Sequence, residues 1–443
     1  MRILIVSKYF PPKNTICALR LYSFAKYWHR AGHDISVLTV LNNTSKNDLN
    51  LDCSSFNIIR LAMPFFRLTA SYNSVSNPDK KSSKFSLSPI KILFKLFILF
   101  REKTGCFSTH FPDFSDIWAK KAVKLVDADN YDIVLSSGGP YSVHRVGLAL
   151  KKKNPKIKWI VDWRDLWTKD PMVKGFPLFI PYEIYLERKF HKNADLITTI
   201  SDPLKKTLES ITSTPVKTIY NGFDPDDFID IQKKDREINN VFKIVYTGSF
   251  YRKLQDPSPL FAAVSQIKMK YPLLYGKIQI QFAGLNSDVS DIAKKYDISD
   301  SFNYLGFVNY ETSLSLQYNA DTALFIDYNN TEGILSGKIF EYINVSRNII
   351  VIGGNESSCA VELIKKTNTG VFLGKDVFLI EQFLVRYITA EEKIVNNKNA
   401  LLIREYTREN QAKLLLNYVL QSDYKPDNRI SSKNIRTTNE NIN

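Results

Sequence analysis

A chain of 443 residues, 44% hydrophobic and 24% charged, is too long for one core and has an ordinary globular composition, which predicts two domains. Four scattered cysteines (17, 53, 106 and 359) and five scattered histidines exclude a disulfide framework and give no CxxC or other metal spacing, so free thiols in a reducing cytoplasm, no metal and no other cofactor are expected. The net charge of +15 suits an anionic partner, but no recognition helix, RNP-type aromatic strand or zinc module accompanies it, which argues against nucleic acid.

The opening "MRILIVSKYFPP" has too short an apolar run for a secretory signal and reads as a strand over 2–7. Pro11 and Pro12 force an extended loop. A helix then starts near Thr15 or Ile16, places Leu21, Phe24, Ala25 and Trp28 on one face, and stops at Gly32. Arg20 lies in its first turns, where free amides and a cation suit an anion; the alternative is a solvated surface residue. Strands follow at 33–40 and 56–62. The segment 79–103 carries seven Lys or Arg against Asp79 and Glu102. Its greasy part, "PIKILFKLFILF", is about half the roughly 20 residues of a membrane span and reads as a basic amphipathic helix.

The run 131–138 ends in Gly138 and Gly139, which let backbone approach a ligand before a helix beginning near Ser142. The run 158–165 ends in Asp162, Arg164 and Asp165 between Trp163 and Trp167, a set that suits a ligand-facing loop or an internal Arg–Asp pair. Strands at 196–201 and 217–222 close a first domain, 1–222, and the polar, turn-rich stretch 223–240 reads as a linker.

The alternation then restarts over 241–399, with strands at 242–248, 277–284, 302–308, 322–328, 348–354 and 370–374. Gly248 permits close approach, with Arg252 and Lys253 beside it as a candidate diphosphate clamp. Gly306, Phe307 and Val308 offer a backbone and apolar edge to a flat base. In "SGKIFEYINV", Ser336 can cap a helix whose first turns place Gly337, Lys338 and Glu341 on one face and Ile339, Phe340 and Ile343 on another. Lys338 and free amides suit phosphate, and Glu341 suits vicinal hydroxyls. An amphipathic helix at 400–421 and a polar, disordered tail at 422–443 end the chain. Repeated βαβ units predict an α/β protein with two doubly wound parallel sheets, binding ligands at the carboxyl ends of their strands and in the cleft between them.

"MRILIVSKYFPP…ALRLYSFAKYWHRAGHDISVLT", "NADLITTISDPLKKTLES…IYNGFD" and "SGKIFEYI", in this order, resemble glycosyltransferase family 4, nearest to bacterial enzymes of surface-polysaccharide synthesis, over roughly 1–421. The resemblance implies the GT-B fold, with two Rossmann-like domains facing each other across a cleft. It implies retaining, metal-free transfer from a nucleotide-sugar to a glycan or polyprenyl-linked acceptor, in capsule, O-antigen or exopolysaccharide synthesis. It also implies a last helix that returns to the first domain. By the same resemblance Glu341 holds the donor ribose, and Ser336, Gly337 and Lys338 lie near the donor phosphates. Gly248 is the glycine of the first C-domain loop, Asn221, Gly222 and Asp224 form the interdomain "NGFD", and Arg20 and Asp165 face the acceptor or reacting sugar.

The chain departs from the pattern in three places. Eight residues rather than seven separate Glu332 from Glu341, Ser249 stands for the arginine after the loop glycine, and the first loop lacks paired glycines. Asp165, Arg252 and Lys253 are the catalytic candidates. Gly248, Gly306, Phe307, Val308, Ser336, Gly337, Lys338 and Glu341 are the donor-binding set, and Arg20, Gly138, Gly139 and Arg164 form the acceptor side. No carboxylate pair stands out as the acid and base of a hydrolase, so a front-face displacement fits, with the departing diphosphate neutralised by cations and helix amides. The basic helix adds an anionic membrane surface as a partner and a peripheral place on the inner face of the cell membrane. Two other readings stay open: a GT-B nucleotide-sugar 2-epimerase and a non-catalytic nucleotide-sugar-binding relative.

Overall fold

The computed structural model describes residues 1–41, 48–63, 89–233, 241–249, 254–285, 288–329, 333–389 and 397–421, and over 89–95 the backbone alone. Runs that are apolar on both faces fold as parallel strands, because helices cover both sides of such a sheet and leave no solvated face. The first sheet takes β1 (Arg2–Val6), β2 (Asp34–Leu41), β3 (Asn57–Ala62), β4 (Ile133–Ser137), β5 (Lys158–Asp162), β6 (Leu196–Thr199) and β7 (Val216–Thr218) in the order β3-β2-β1-β4-β5-β6-β7. Around it lie α1 (Ile16–Arg30), α2 (Pro89–Thr104), α3 (Ser115–Ala122), α4 (Ser142–Lys153), α5 (Ile180–Asn193) and α6 (Asp202–Glu209).

The second sheet, β10-β9-β8-β11-β12-β13, is built from β8 (Phe242–Thr247), β9 (Ile278–Ala283), β10 (Phe302–Gly306), β11 (Thr322–Asp327), β12 (Ile349–Gly353) and β13 (Gly370–Gly374). Its helices are α7 (Ser258–Lys270), α8 (Val289–Lys295), α9 (Tyr310–Asn319), α10 (Lys338–Val345), α11 (Cys359–Thr367) and α12 (Val377–Ile388). Strand order reverses between β1 and β4 in one sheet and between β8 and β11 in the other. At such a reversal neighbouring crossovers leave in opposite directions and open a crevice at the carboxyl ends.

Strand alternation divides each domain's apolar residues into two cores. In the first domain Leu4, Val6, Val134 and Val161 face one side, and Ile3, Ile5, Ile133 and Ile160 face the other. That second side is completed from the far end of the chain. The return is two helices, α13 (Ala400–Glu405) and α14 (Arg408–Gln421), rather than one, interrupted at Tyr406–Thr407 where Phe223 bridges Thr407. Ala412, Leu415 and Val419 of α14 pack with Phe24 and Trp28 of α1, and the Trp28 indole donates to the Ala412 carbonyl at 2.9 Å.

The stretch read as a linker is partly core. Phe223, Phe228 and Ile231 are buried with Phe325, Ile339 and Phe340 of the second domain. Alternating apolar residues inside an acidic, turn-rich segment conceal this, because burial is supplied by a sheet that follows later in the chain. Residues 234–240 of that stretch and the tail 422–443 lie outside the described residues.

Candidate active site

The two crevices face each other. The loop after β11 meets N-domain elements that follow β1 and β6: the Ser201 hydroxyl donates to the Gly333 carbonyl at 2.6 Å. A Cβ on Gly337 would run into the Ile16 side chain at the start of α1, so only glycine lets the head of α10 approach α1 this closely. Gly337 itself caps α10 in helical geometry, φ −58° and ψ −29°, with no side-chain cap bond. Ser336 therefore does not cap the helix as expected; the loop is held by its contacts with the N-domain instead.

On the C-domain side, Gly248 follows β8 with φ 106°, a conformation that favours glycine. A Cβ there would lie 3.1 Å from Lys338 Nζ, so the ammonium sits directly over this loop. Lys338 donates to the Tyr246 hydroxyl at 2.8 Å and lies 4.0 Å from the centroid of the same ring. Burial lowers its pKa to about 7, partly offset by the charge of Glu341. Glu341, one turn on, is 7% exposed. Gln317 of α9 donates to it at 2.9 Å and also to the Thr247 hydroxyl at 3.1 Å. Burial raises the Glu341 pKa, against the pull of the Gln317 bond and of Arg408. Gly248, Lys338 and Glu341 are thus gathered at the β8–β11 crevice.

Gly306 has open space where a Cβ would stand, Phe307 is exposed and Val308 half-buried, all at the free end of β10. Arg252, Lys253 and Glu332 lie outside the described residues. Sequence reasoning passed over Asp327, buried at the end of β11 with burial raising its pKa. Its only signal was a carboxylate ending an apolar run.

On the N-domain side, Arg164 donates to the Gly138 carbonyl, and a Cβ on Gly139 would stand 2.9 Å from its Nη2, so Gly138, Gly139 and Arg164 share one site. Asp165 is exposed beside them. Arg20, expected on the acceptor side, is buried next to this site rather than open to a ligand. It is 1% exposed, donates to the Ile219 and Tyr220 carbonyls at 2.8 Å each, and pairs with Asp162 at 3.1 Å. Burial pushes the Asp162 carboxyl up, but Arg20 and the Ser137 and Thr198 hydroxyls outweigh it and hold the group below the ordinary range. Trp163 and Trp167 are core, their rings stacked at 5.7 Å. Among the described residues no three His, Cys, Asp or Glu side chains are grouped to hold a metal.

Residues 96–227 match the model of a family described as Glycosyltransferase Family 4. No curated protein matches the chain. A sucrose-phosphate synthase from Thermosynechococcus elongatus superimposes with a TM-score of 0.59 at 14% identity, covering 95% of this chain and 98% of its own. A UDP-forming α,α-trehalose-phosphate synthase from Burkholderia xenovorans, in complex with glucose-6-phosphate, gives 0.60 at 11% identity, with 95% and 100% covered. An E. coli protein described as trehalose-6-phosphate bound with UDP-2-fluoro glucose gives 0.62 at 12% identity, with 95% and 99% covered. The fold is GT-B. With the matched segment, it supports a glycosyltransferase.

Proposed function

We propose that the protein transfers a sugar from a nucleotide-sugar, with retention, to a glycan or lipid-linked acceptor in the synthesis of capsule, O-antigen or exopolysaccharide. The observation that carries the donor half is the meeting of Lys338, Gly248 and Glu341 at the β8–β11 crevice. In this reading Lys338 and the first amides of α10 receive the diphosphate, whose growing negative charge they neutralise as the glycosidic bond breaks. Glu341 accepts hydrogen bonds from the ribose, and the open end of β10 receives the base. The acceptor approaches from the N-domain across Gly138, Gly139 and Arg164, with Asp165 orienting its hydroxyl and the leaving phosphate taking the proton.

A lipid-linked acceptor is favoured by the surface beside that site. Leu96, Phe97 and Leu99 of α2 are 57%, 40% and 53% exposed, and Met172 and Leu178, on the loop leading away from Arg164, are 48% and 73% exposed. Phe100 against Phe176 at 5.4 Å sets the two segments side by side. Lys103, Lys169, Lys174 and Arg188 are exposed on these segments and on α5. Apolar side chains with cations around them suit the headgroup region of an anionic bilayer. No helix among the described residues is long and apolar enough to cross a membrane. The association proposed through this surface is peripheral, on the inner face of the cell membrane. A second reading takes a sugar phosphate as acceptor, with Arg164 as the anion's partner; the structurally similar Burkholderia protein is in complex with glucose-6-phosphate.

The test is incubation with a panel of nucleotide-sugars, alone, with glucose-6-phosphate, and with polyprenyl-linked glycans. Nucleoside diphosphate release that needs the lipid-linked acceptor supports the first reading, and release that needs the sugar phosphate supports the second. Return of a changed sugar marks an epimerase, and binding without release under any condition marks a non-catalytic protein.

A further inference from the structure

Three aspartates follow Phe223, and their partners lie in opposite directions. Asp224 accepts from the Tyr27 hydroxyl at 2.6 Å and from Lys26 at 2.8 Å, and Asp226 pairs with Lys26 and Arg30 at 2.8 Å each, so both bind α1 of the N-domain. Asp227 turns toward the donor site. It accepts from the Tyr310 hydroxyl at 2.9 Å, and Arg408 Nη1, at the head of α14, lies 3.6 Å from the same oxygen. The Tyr310 hydroxyl is also 3.4 Å from Glu341 Oε1, while Glu341 Oε2 is occupied by Gln317. A phenol carries one proton, so Tyr310 can donate to Asp227 or to Glu341 but not to both at once. Arg408 is 2% exposed, and its Nε and Nη2 have no hydrogen-bond partner, so the two carboxylates are what its buried charge answers.

The geometry points to Tyr310, Asp227 and Arg408 as positioning residues: Tyr310 and Arg408 orient Glu341 and favour its ionised form, while Asp227 competes for both and ties them, through the Asp224–Asp227 turn, to α1 of the N-domain. The grip on the donor's ribose then depends on the junction between the domains. This inference rests on reading Glu341 as the ribose ligand. The groups facing Glu341 are Tyr310 and Gln317 from α9, Asp227 from the turn, Arg408 from α14, and Lys338 and Tyr342 from its own helix. Burial raises the pKa of both Glu341 and Asp227, and the charge of Arg408 lowers both. An ionised Glu341 accepts from ribose hydroxyls, so nucleotide affinity is present above its pKa and is lost as pH falls through it.

The experiment is calorimetric titration with UDP, GDP and ADP across the acid-to-neutral range, on wild type, Glu341→Ala, Tyr310→Phe and Asp227→Asn. Tyr310→Phe removes a donor to the carboxylate pair, so binding of the preferred nucleotide weakens about threefold to tenfold and its acid limb moves to higher pH. Asp227→Asn removes a like charge and releases Arg408 to Glu341, so the limb moves to lower pH. A residue with only a packing role would lower stability without moving the limb in either direction. Glu341→Ala that weakens binding, with both other variants at the wild-type midpoint or shifted the same way, overturns the inference and leaves the ribose reading standing. No nucleotide bound by wild type, or unchanged affinity in Glu341→Ala, overturns the ribose reading itself. If Tyr310→Phe does not fold, Asp227→Asn decides alone.

Discussion

Lys338 lies over the Tyr246 ring at 4.0 Å, against the α-carbon of Gly248, and so joins the head of α10 to the loop after β8. With its pKa lowered to about 7 by burial, the side chain is largely neutral in mildly alkaline solution. A diphosphate placed beside it favours the charged form, so binding should take up a proton between that pKa and the ordinary lysine range near 10. Calorimetry of nucleoside diphosphate binding in buffers of different ionisation heat reads this directly. Lys338→Met should abolish the uptake and weaken affinity about tenfold. Lys338 also makes the folded protein more stable as pH rises from about 7 toward the unfolded lysine pKa, because the unfolded chain binds the extra proton over that window.

Arg20 and Asp162 form a buried pair, and removing one partner strands the other's charge. Arg20→Met should cost about 3–5 kcal/mol in denaturant unfolding. Arg164→Met, which removes a half-buried guanidinium with a carbonyl partner, should change stability by about 1 kcal/mol or less. Its effect should fall on acceptor KM instead. Because Asp162 is held below its unfolded pKa, the pair's contribution is full above about pH 4 and is lost as pH falls further.

The exposed apolar pair Leu99 and Leu178 should govern binding to vesicles. Flotation with phosphatidylglycerol vesicles should recover the wild type and lose most of Leu99→Asp/Leu178→Asp, with the same melting temperature for both. Flotation should also fall with added salt, since cations surround the patch. Equal recovery of both proteins would remove the membrane from the account.

Among the described residues each strand falls on a run read as β from the sequence; this is plainest for inner strands such as β12, which is covered on both faces and apolar throughout until it ends in glycine. Binding at the carboxyl ends of the strands was expected from the repeated βαβ units, whereas the reversals at β1–β4 and β8–β11 come from the strand order of the structure. What escaped sequence reading depended on distant partners. Arg20 reads the same whether it meets solvent or Asp162, which lies far along the chain. Ser336 has the chemistry of a cap, but the close approach of Gly337 to Ile16 decides the geometry. Phe223, Phe228 and Ile231 become core through a sheet that begins after them. Trp163 and Trp167 sit beside three charged residues in sequence, yet their rings stack on each other within the core, a placement the sequence does not show.

The central claim is that the β8–β11 crevice holds the nucleotide-sugar through Glu341. The direct measurement is the rate of nucleoside diphosphate release from the preferred donor by wild type and by Glu341→Ala, with folding checked by thermal melting. A rise in donor KM of about tenfold or more in a folded Glu341→Ala protein is the predicted result, from loss of a charge-assisted bond to ribose. Release at the wild-type rate and the wild-type KM would contradict it.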